Sequence, residues 1–405
     1  MIGVDEAIRI LADAAEPREP VEVPVERANR LGLAEDVLAD RDFPAADRSA
    51  MDGFAVRSSD VRAPVASLRI VGEIPAGSSA DGVSIGPGDA VRLYTGAVLP
   101  QGADAVVMVE HTREDRDRGV VRIDAAVEAG ENVRRQGSDC KQGERVLEAG
   151  APIHAPELAA LASVGRSRVW VHRPPVAHVV STGDELVEPG ETPAPHQIRE
   201  SNGRMLVALL AEIGIRSQPI GRAGDRPDAL ARALETGLGA DILLVSGGVS
   251  VGTYDLVAET LRASGAEILF HGVAMKPGKP VLAARRGTTL VVGLPGNPVS
   301  AYVGFCVLVA PALRRMLGYR GFATPEIDAV LLAPLEQRPG RETFHLARIE
   351  ARAGRFEAAP IATTGSGDVL ALARANGLLR LPATASRIEA GRTVRALVWR
   401  DAAHR

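Results

Sequence analysis

At 405 residues with 46% hydrophobic and 24% charged content, the chain can bury ample core, and its length suggests two to four domains. Its 47 basic residues against 51 acidic ones leave a formal charge of -4, which offers no global positive field to nucleic acid. Cys140 and Cys306 are too few for a disulfide framework or a zinc site, so a reducing compartment, the cytoplasm, is expected.

The opening MIGVDEAIRILADAAEP lacks the basic start and cleavage site of a signal peptide, and its apolar positions recur at helical spacing, predicting a helix over 2–16. VEVPVERANRLGLAEDVLA reads as a helix-turn segment with a strand at its end. From about 45 to 140 the chain changes to short strands divided by turns, a β domain inserted into a first domain formed by 1–44 and 141–168. Strand VAHVVS, helix SNGRMLVALLAEIG, strand IRSQPI, helix RPDALARALETG, strand DILLVS and helix TYDLVAETLRASG then alternate, predicting a parallel sheet. Strands VLAA and LVVGLP and helix VSAYVGFCVLVAPALRRMLG complete this α/β domain over 169–320, and residues 321–405 form a C-terminal β domain. The uncharged run from Gly287 to Leu313 is interrupted by Pro295, Gly296, Asn297 and Pro298, so it reads as strand, turn and buried helix; no membrane association is expected. The fold class is therefore multidomain α/β plus β.

Chemistry is expected where strands end. SGGVSVG fails the dinucleotide fingerprint because Val249 replaces the second glycine, and it fails the P-loop because Thr253 replaces the lysine. STGDEL, SGGVSVGTYD and GLPGNPVSA should face one crevice, with KPGKP holding Lys276 and Lys279 toward an anion. Each has a plainer alternative. Asp225 in GDRPDAL suits a helix N-cap, and Asp255 suits a helix first turn. Pro295 and Pro298 suit the shaping of a turn, while Lys276 and Lys279 suit solvated loop charge. Asp52, Thr95 and Asp139 each fit a turn singly, and the histidines show no metal-ligand spacing.

SAMDGFAV, TGAVLPQGADAVVMVE, STGDEL, SGGVSVG, KPGKP and GLPGNPVSA, in this order, closely resemble the molybdopterin molybdenumtransferase family, whose eukaryotic relative is the gephyrin E domain. The likeness runs from VDEAIRIL to TTGSGDVLALARANGLLRLP; Phe54 stands where the family often has tyrosine, and no fused adenylyltransferase domain is seen. The resemblance implies a four-domain homodimer that inserts molybdenum from molybdate into adenylylated molybdopterin, releasing AMP with Mg2+. It implies a molybdopterin-binding α/β domain and, with adenylylation done elsewhere, contact with a molybdopterin adenylyltransferase and with cofactor-accepting enzymes.

On that resemblance Ser246, Gly247, Gly248 and Ser250, with Pro295 and Pro298, border the pterin and AMP phosphates, the loop amides serving as donors. Glu185, Asp225 and Asp255 are the expected Mg2+ acids, and Asp52, Thr95 and Asp139 join them as catalytic residues from the neighbouring protomer. Lys276, Lys279, Ser300, Arg341 and Ser366 are the expected molybdate ligands. Three alternatives stand against this reading: a molybdopterin adenylyltransferase, a non-catalytic molybdopterin-binding scaffold and, disfavoured by the failed fingerprint, a nicotinamide dehydrogenase.

Overall fold

The computed structural model describes residues 1–62, 65–249 and 256–399; Ser250 and Asp255 lie outside them. The chain divides into two compact units, one formed by Met1–Glu35, Ala149–Leu158 and Arg168–Arg405, the other by Asp36–Glu148 and Ala159–Ser167.

In the larger unit a six-stranded sheet runs in the spatial order Ser217–Ala223, Ala177–Thr182, Ile242–Ser246, Thr289–Leu294, Leu282–Arg286, Glu267–His271. Ile242–Ser246 and Thr289–Leu294 are buried at every position, the burial that lets a continuous apolar run serve as a central strand. The first four strands are parallel, and helices Asn202–Glu212 and Pro227–Gly237 connect the first three along the chain. The sheet is nonetheless mixed, not purely parallel as the alternation suggested. Leu282–Arg286 pairs antiparallel with Thr289–Leu294, because two intervening residues with Gly287 at φ 59° allow a hairpin but no crossover. Glu267–His271, which the sequence reading left unassigned, closes the edge.

A second correction concerns VEVP, expected to be helical. Pro20–Pro24 is a strand paired antiparallel with Arg168–His172. Its alternating valine and glutamate suit a pleated ribbon, and its bounding prolines disfavour a helix interior. The apolar stretch Pro298–Met316 is long enough to cross a membrane by length and composition, but 83% of it is buried inside the protein. It is a core helix, with a π-helical turn over Phe305–Val309 just before Pro311, which cannot donate to the helical ladder.

The C-terminal strands belong to the same compact unit. Glu342–Arg352, Arg355–Pro360, Glu326–Leu331, Thr393–Val398 and Gly377–Leu381 form a ring closed by pairing of the last with the first, around Leu331, Ile349, Leu379, Leu381 and Val394. Met275–Lys276 adds to this barrel beside Glu342 and Thr343.

Asp241, at the start of a central strand, receives Arg173 through both terminal nitrogens at 2.8 and 3.0 Å and the Val176 amide at 2.7 Å. Burial pushes its carboxyl up, but the Arg173 guanidinium, then the Val176 amide, outweigh burial and hold it below the usual carboxylate range. A depressed folded-state pKa contributes stability that is fully present above the unfolded value near ~3.9 and is lost as pH falls through the folded value. Asp241→Asn is expected to cost about 2 kcal/mol at neutral pH, less than a fully buried pair because Asp241 keeps some solvent contact. Its stability should also fall less steeply below about pH 4 than the wild type's, as urea unfolding across pH will show.

In the smaller unit a six-stranded sheet runs Ala105–Met108, Gly53–Val56, Asp89–Leu93, Ala66–Ile74, Val120–Ile123, Thr112–Asp115. Phe54, Leu68, Val107, Val121 and Ile123 pack one of its cores. Gly53 is required by close approach, since a Cβ there would lie 1.9 Å from the Val107 carbonyl oxygen.

Candidate functional site

The carboxyl ends of the four parallel strands converge on one cavity of about 790 Å3 in the larger unit. Thr182 leads into Gly183 and Glu185, Ala223 into Asp225, Ser246 into Gly247 and Gly248, and Leu294 into Pro295, Asn297 and Pro298; residues from all four exits line the cavity. Such a crevice forms where successive strands leave a parallel sheet in opposite directions, as they do on either side of Ala177–Thr182. The three strand-end loops expected to face one crevice do line one cavity, and the Asp225 segment joins them as a fourth. The two adjacent glycines have a steric reason. Gly247 has φ 97°, and a Cβ would lie 2.6 Å from the Thr182 carbonyl oxygen; Gly248 has φ 65°, with Val257 Cγ2 2.9 Å from such a Cβ.

The expectation that this turn offers all its amides to phosphate needs correction at Gly247, whose N–H donates to the Leu294 carbonyl at 2.9 Å. Gly248 has no backbone acceptor among the described residues, so it is the remaining donor of the pair. Ser246 is buried, and its hydroxyl accepts from Asn202 Nδ2 at 2.8 Å. The same nitrogen donates to the Gly296 carbonyl at 2.8 Å, so Asn202 ties the loops after two neighbouring strands together. Asn202 went unremarked in the sequence because it reads as an ordinary helix start. Glu200, also missed, is 7% exposed and accepts from Ser181 Oγ at 3.0 Å, Gly203 N–H at 2.6 Å and Arg204 at 2.6 Å. These bonds fix the chain that carries Asn202.

Asp225 does not cap the following helix; Arg226 occupies that position, without a side-chain cap bond. Instead the Asp184 amide donates to Asp225 at 3.3 Å, and the Asp225 amide donates to Asp184 at 3.1 Å. This exchange across adjacent strand ends holds the Asp225 carboxylate at the cavity wall, with Asp184 as a partner the sequence reading overlooked. Glu185 lines the same cavity and folds back over Gly183, where a Cβ would lie 2.4 Å from its Oε2. Among the described residues no three Asp, Glu, His or Cys gather as a ready-made metal cage.

Asn297 and Ser366 meet through a 2.9 Å bond, and Val299 N–H donates to the Ser366 carbonyl at 3.0 Å. Ser366 thus stands beside the PGNP turn. Ser300 is buried in helix Pro298–Gly304 and lines neither this cavity nor the next. Lys276 and Arg341 line a second cavity of about 630 Å3, with Arg338, Thr343 and Ser386. Strand pairing of Lys276 with Thr343 brings together two charges that are far apart in sequence. Lys279 is exposed and lines neither cavity, so the five expected oxyanion ligands are not gathered in one pocket. Arg338 is the cation the sequence reading missed, although RPGR spaces two arginines three apart. Burial, then the charge of Lys276, holds His345 below the usual imidazole range, so it adds no further positive charge at neutral pH.

In the smaller unit Asp52 accepts from the Thr95 amide at 2.7 Å and the Thr95 hydroxyl at 2.8 Å. The amide, then the hydroxyl, holds the Asp52 carboxyl below the usual carboxylate range, so it is ionised at neutral pH. Asp139 is paired with Arg134.

Three family models match along the chain: MoeA N-terminal region (domain I and II) over residues 2–165, a probable molybdopterin binding domain over 178–315 and MoeA C-terminal region (domain IV) over 328–399. A molybdopterin molybdenumtransferase of Bacillus subtilis is 34% identical over 407 residues, covering 99% of this chain and 94% of the relative. Molybdopterin molybdenumtransferase 2 of Mycobacterium tuberculosis is 35% identical, covering 98% of this chain and 99% of its own. A crystal structure of a molybdopterin biosynthesis MoeA protein from Pyrococcus horikoshii superposes with TM-score 0.82 at 27% identity, covering 98% of this chain and 100% of that one.

Proposed function

The chain belongs to the molybdopterin molybdenumtransferase family, and from that premise we propose that it inserts molybdenum from molybdate into adenylylated molybdopterin, with Mg2+-dependent release of AMP. One observation carries the reading: four strand-end loops enclose a single large cavity, while Lys276 and Arg341 line a separate cationic cavity in the same compact unit. The first suits a phosphorylated heterocycle, and the second suits a tetrahedral dianion.

Mg2+ fits the donors available. Asp225 and Glu185 supply hard oxygen ligands on one cavity, and Mg2+ characteristically takes only one or two carboxylates and completes its shell with substrate phosphate and water. When bound, it would supply charge neutralisation at the adenylate phosphates. The protein groups do the positioning. The Asp184 amide orients Asp225, Asn202 holds the Ser246 and Gly296 loops in register, and the Gly248 amide, without a backbone acceptor among the described residues, remains a donor for a phosphate oxygen. No protein nucleophile is required, because the pterin dithiolene provides the bonds to the metal.

This reading includes a cytoplasmic homodimer with shared sites, in which the partner subunit's Asp52, the partner subunit's Thr95 and the partner subunit's Asp139 act on substrate bound in the larger unit. Its support is that all three lie in the smaller unit and line neither cavity of the larger one. Delivery of substrate by a molybdopterin adenylyltransferase and handover to cofactor-accepting enzymes belong to the same proposal.

AMP release from adenylylated molybdopterin tests it. The wild type should release AMP only with both Mg2+ and molybdate, and Asp225→Asn should need roughly tenfold more Mg2+ because a neutral amide loses the anchoring charge. AMP release by Asp225→Asn at the wild-type rate and Mg2+ requirement would remove Asp225 from the site.

A further inference from the structure

The smaller unit contains its own concave pocket, about 300 Å3, lined by Arg41, Asp42, Phe43, Arg48, Arg134 and Asp139 among others. Three guanidinium groups face two carboxylates there, and the carboxylates are not equivalent. Asp42 is engaged within its own loop: Oδ2 accepts from Gln136 Nε2 at 2.8 Å, and Oδ1 from the Gln142 amide at 2.9 Å. Asp139 pairs with Arg134, and both side chains remain about half exposed, at 51% and 55%.

The arginines are placed as if for a shared partner. Arg48 and Arg134 are directly opposite on adjacent antiparallel strands, Arg48–Ser49 and Val133–Arg134, a register that disfavours like charges. Arg48 spends one terminal nitrogen on the Gly96 carbonyl at 2.7 Å. Arg41 lies over the Phe43 ring, 5.9 Å from its centroid, and has no ion pair among the described residues. A planar guanidinium braced on an aromatic face keeps its edge available for a bidentate anion. The lining thus carries one positive charge more than its carboxylates offset, with one carboxylate already committed elsewhere.

We propose that this pocket binds a phosphoryl group, held by Arg41, Arg48 and Arg134, with the anion taking the place of Asp139 on Arg134. The guanidinium fork matches two oxygens of a phosphate, and Asp139 competes with the ligand for the same donors. The pocket shares Asp139 with the transferase reading, but the titrations below read binding without turnover, so their failure is distinguishable from failure of that reading.

Calorimetric titration of the full-length protein at low salt, once with inorganic phosphate and once with AMP, tests the proposal. Arg41→Gln combined with Arg134→Gln should weaken binding at least tenfold, and Arg41→Lys should weaken it less, keeping charge while losing the fork. Asp139→Asn should tighten binding several-fold by removing the competitor, a gain that a misfolded variant would not show. Lys276→Ala with Arg341→Ala, in the other unit, should leave this component unchanged. Within the binding component lost in the Arg41/Arg134 double variant, tighter binding of AMP than of phosphate would identify an ester as the ligand, and equal binding would identify the phosphoryl group alone. Wild-type affinity in the Arg41/Arg134 double variant, or no tightening in Asp139→Asn, would overturn the assignment.

Discussion

Lys276→Ala combined with Arg341→Ala is expected to raise the molybdate concentration for half-maximal turnover at least about 30-fold. The two cations line one cavity, where strand Met275–Lys276 joins the barrel beside Thr343. Truncating a charged partner of a held anion typically costs about 2 kcal/mol or more, which is roughly 30-fold in affinity. Binding of the pterin should be unaffected, because its proposed cavity is lined by a different set of residues, including Ser246, Asn202 and Pro295. Arg341→Lys should fall in between, since an ammonium keeps the charge but not the two-pronged geometry. Molybdate titration of turnover, paired with equilibrium binding of molybdopterin, separates the two effects. An unchanged molybdate dependence would place the oxyanion elsewhere.

Asp52→Ala and Asp225→Ala should each be nearly inactive alone, yet regain about a quarter of wild-type activity when co-refolded in equal amounts. Asp52 is an ionised carboxylate held by Thr95 in the smaller unit, and Asp225 lines the large cavity of the other. If two subunits share two equivalent sites, half of the refolded dimers are mixed, and in each of these one site collects both lesions while the other collects neither. Sites assembled within one chain would all keep a lesion. Activity that stays at the level of the separate variants, with subunit exchange confirmed by mass, would exclude the shared site.

The parts of the fold visible in the sequence are those where local pattern and tertiary environment agree. DILLVS and LVVGLP are continuous apolar runs, and both became fully buried central strands with chemistry-bearing loops at their carboxyl ends. Strand direction is different. Nothing in the apolar pattern of VLAA distinguishes a parallel from an antiparallel neighbour, and only the brevity of the link through Gly287 decides it. Pro20–Pro24 reads as helical in sequence because its stabilising partner, Arg168–His172, lies far along the chain and no local signal announces it.

The site was legible to a similar degree. Glycine pairs and acids at strand ends are visible in sequence, but their division of labour is not. Gly247 looks like an amide donor until the Leu294 carbonyl is found to occupy it. Asp225 looks like a helix cap until Asp184 is found across the strand boundary. Asn202 and Glu200 are buried polar groups whose purpose exists only in the assembled loops, so helical periodicity hides them.

The central claim is transfer of molybdenum to the pterin, and its most direct test is the molybdenum content of the pterin product. The protein would be incubated with adenylylated molybdopterin, Mg2+ and molybdate, the pterin released and separated, and its metal measured by mass spectrometry. The account predicts close to one molybdenum per pterin with the wild type and almost none with Lys276→Ala/Arg341→Ala at the same molybdate concentration. Metal-free pterin from the wild type, or equal loading by the variant, would contradict it.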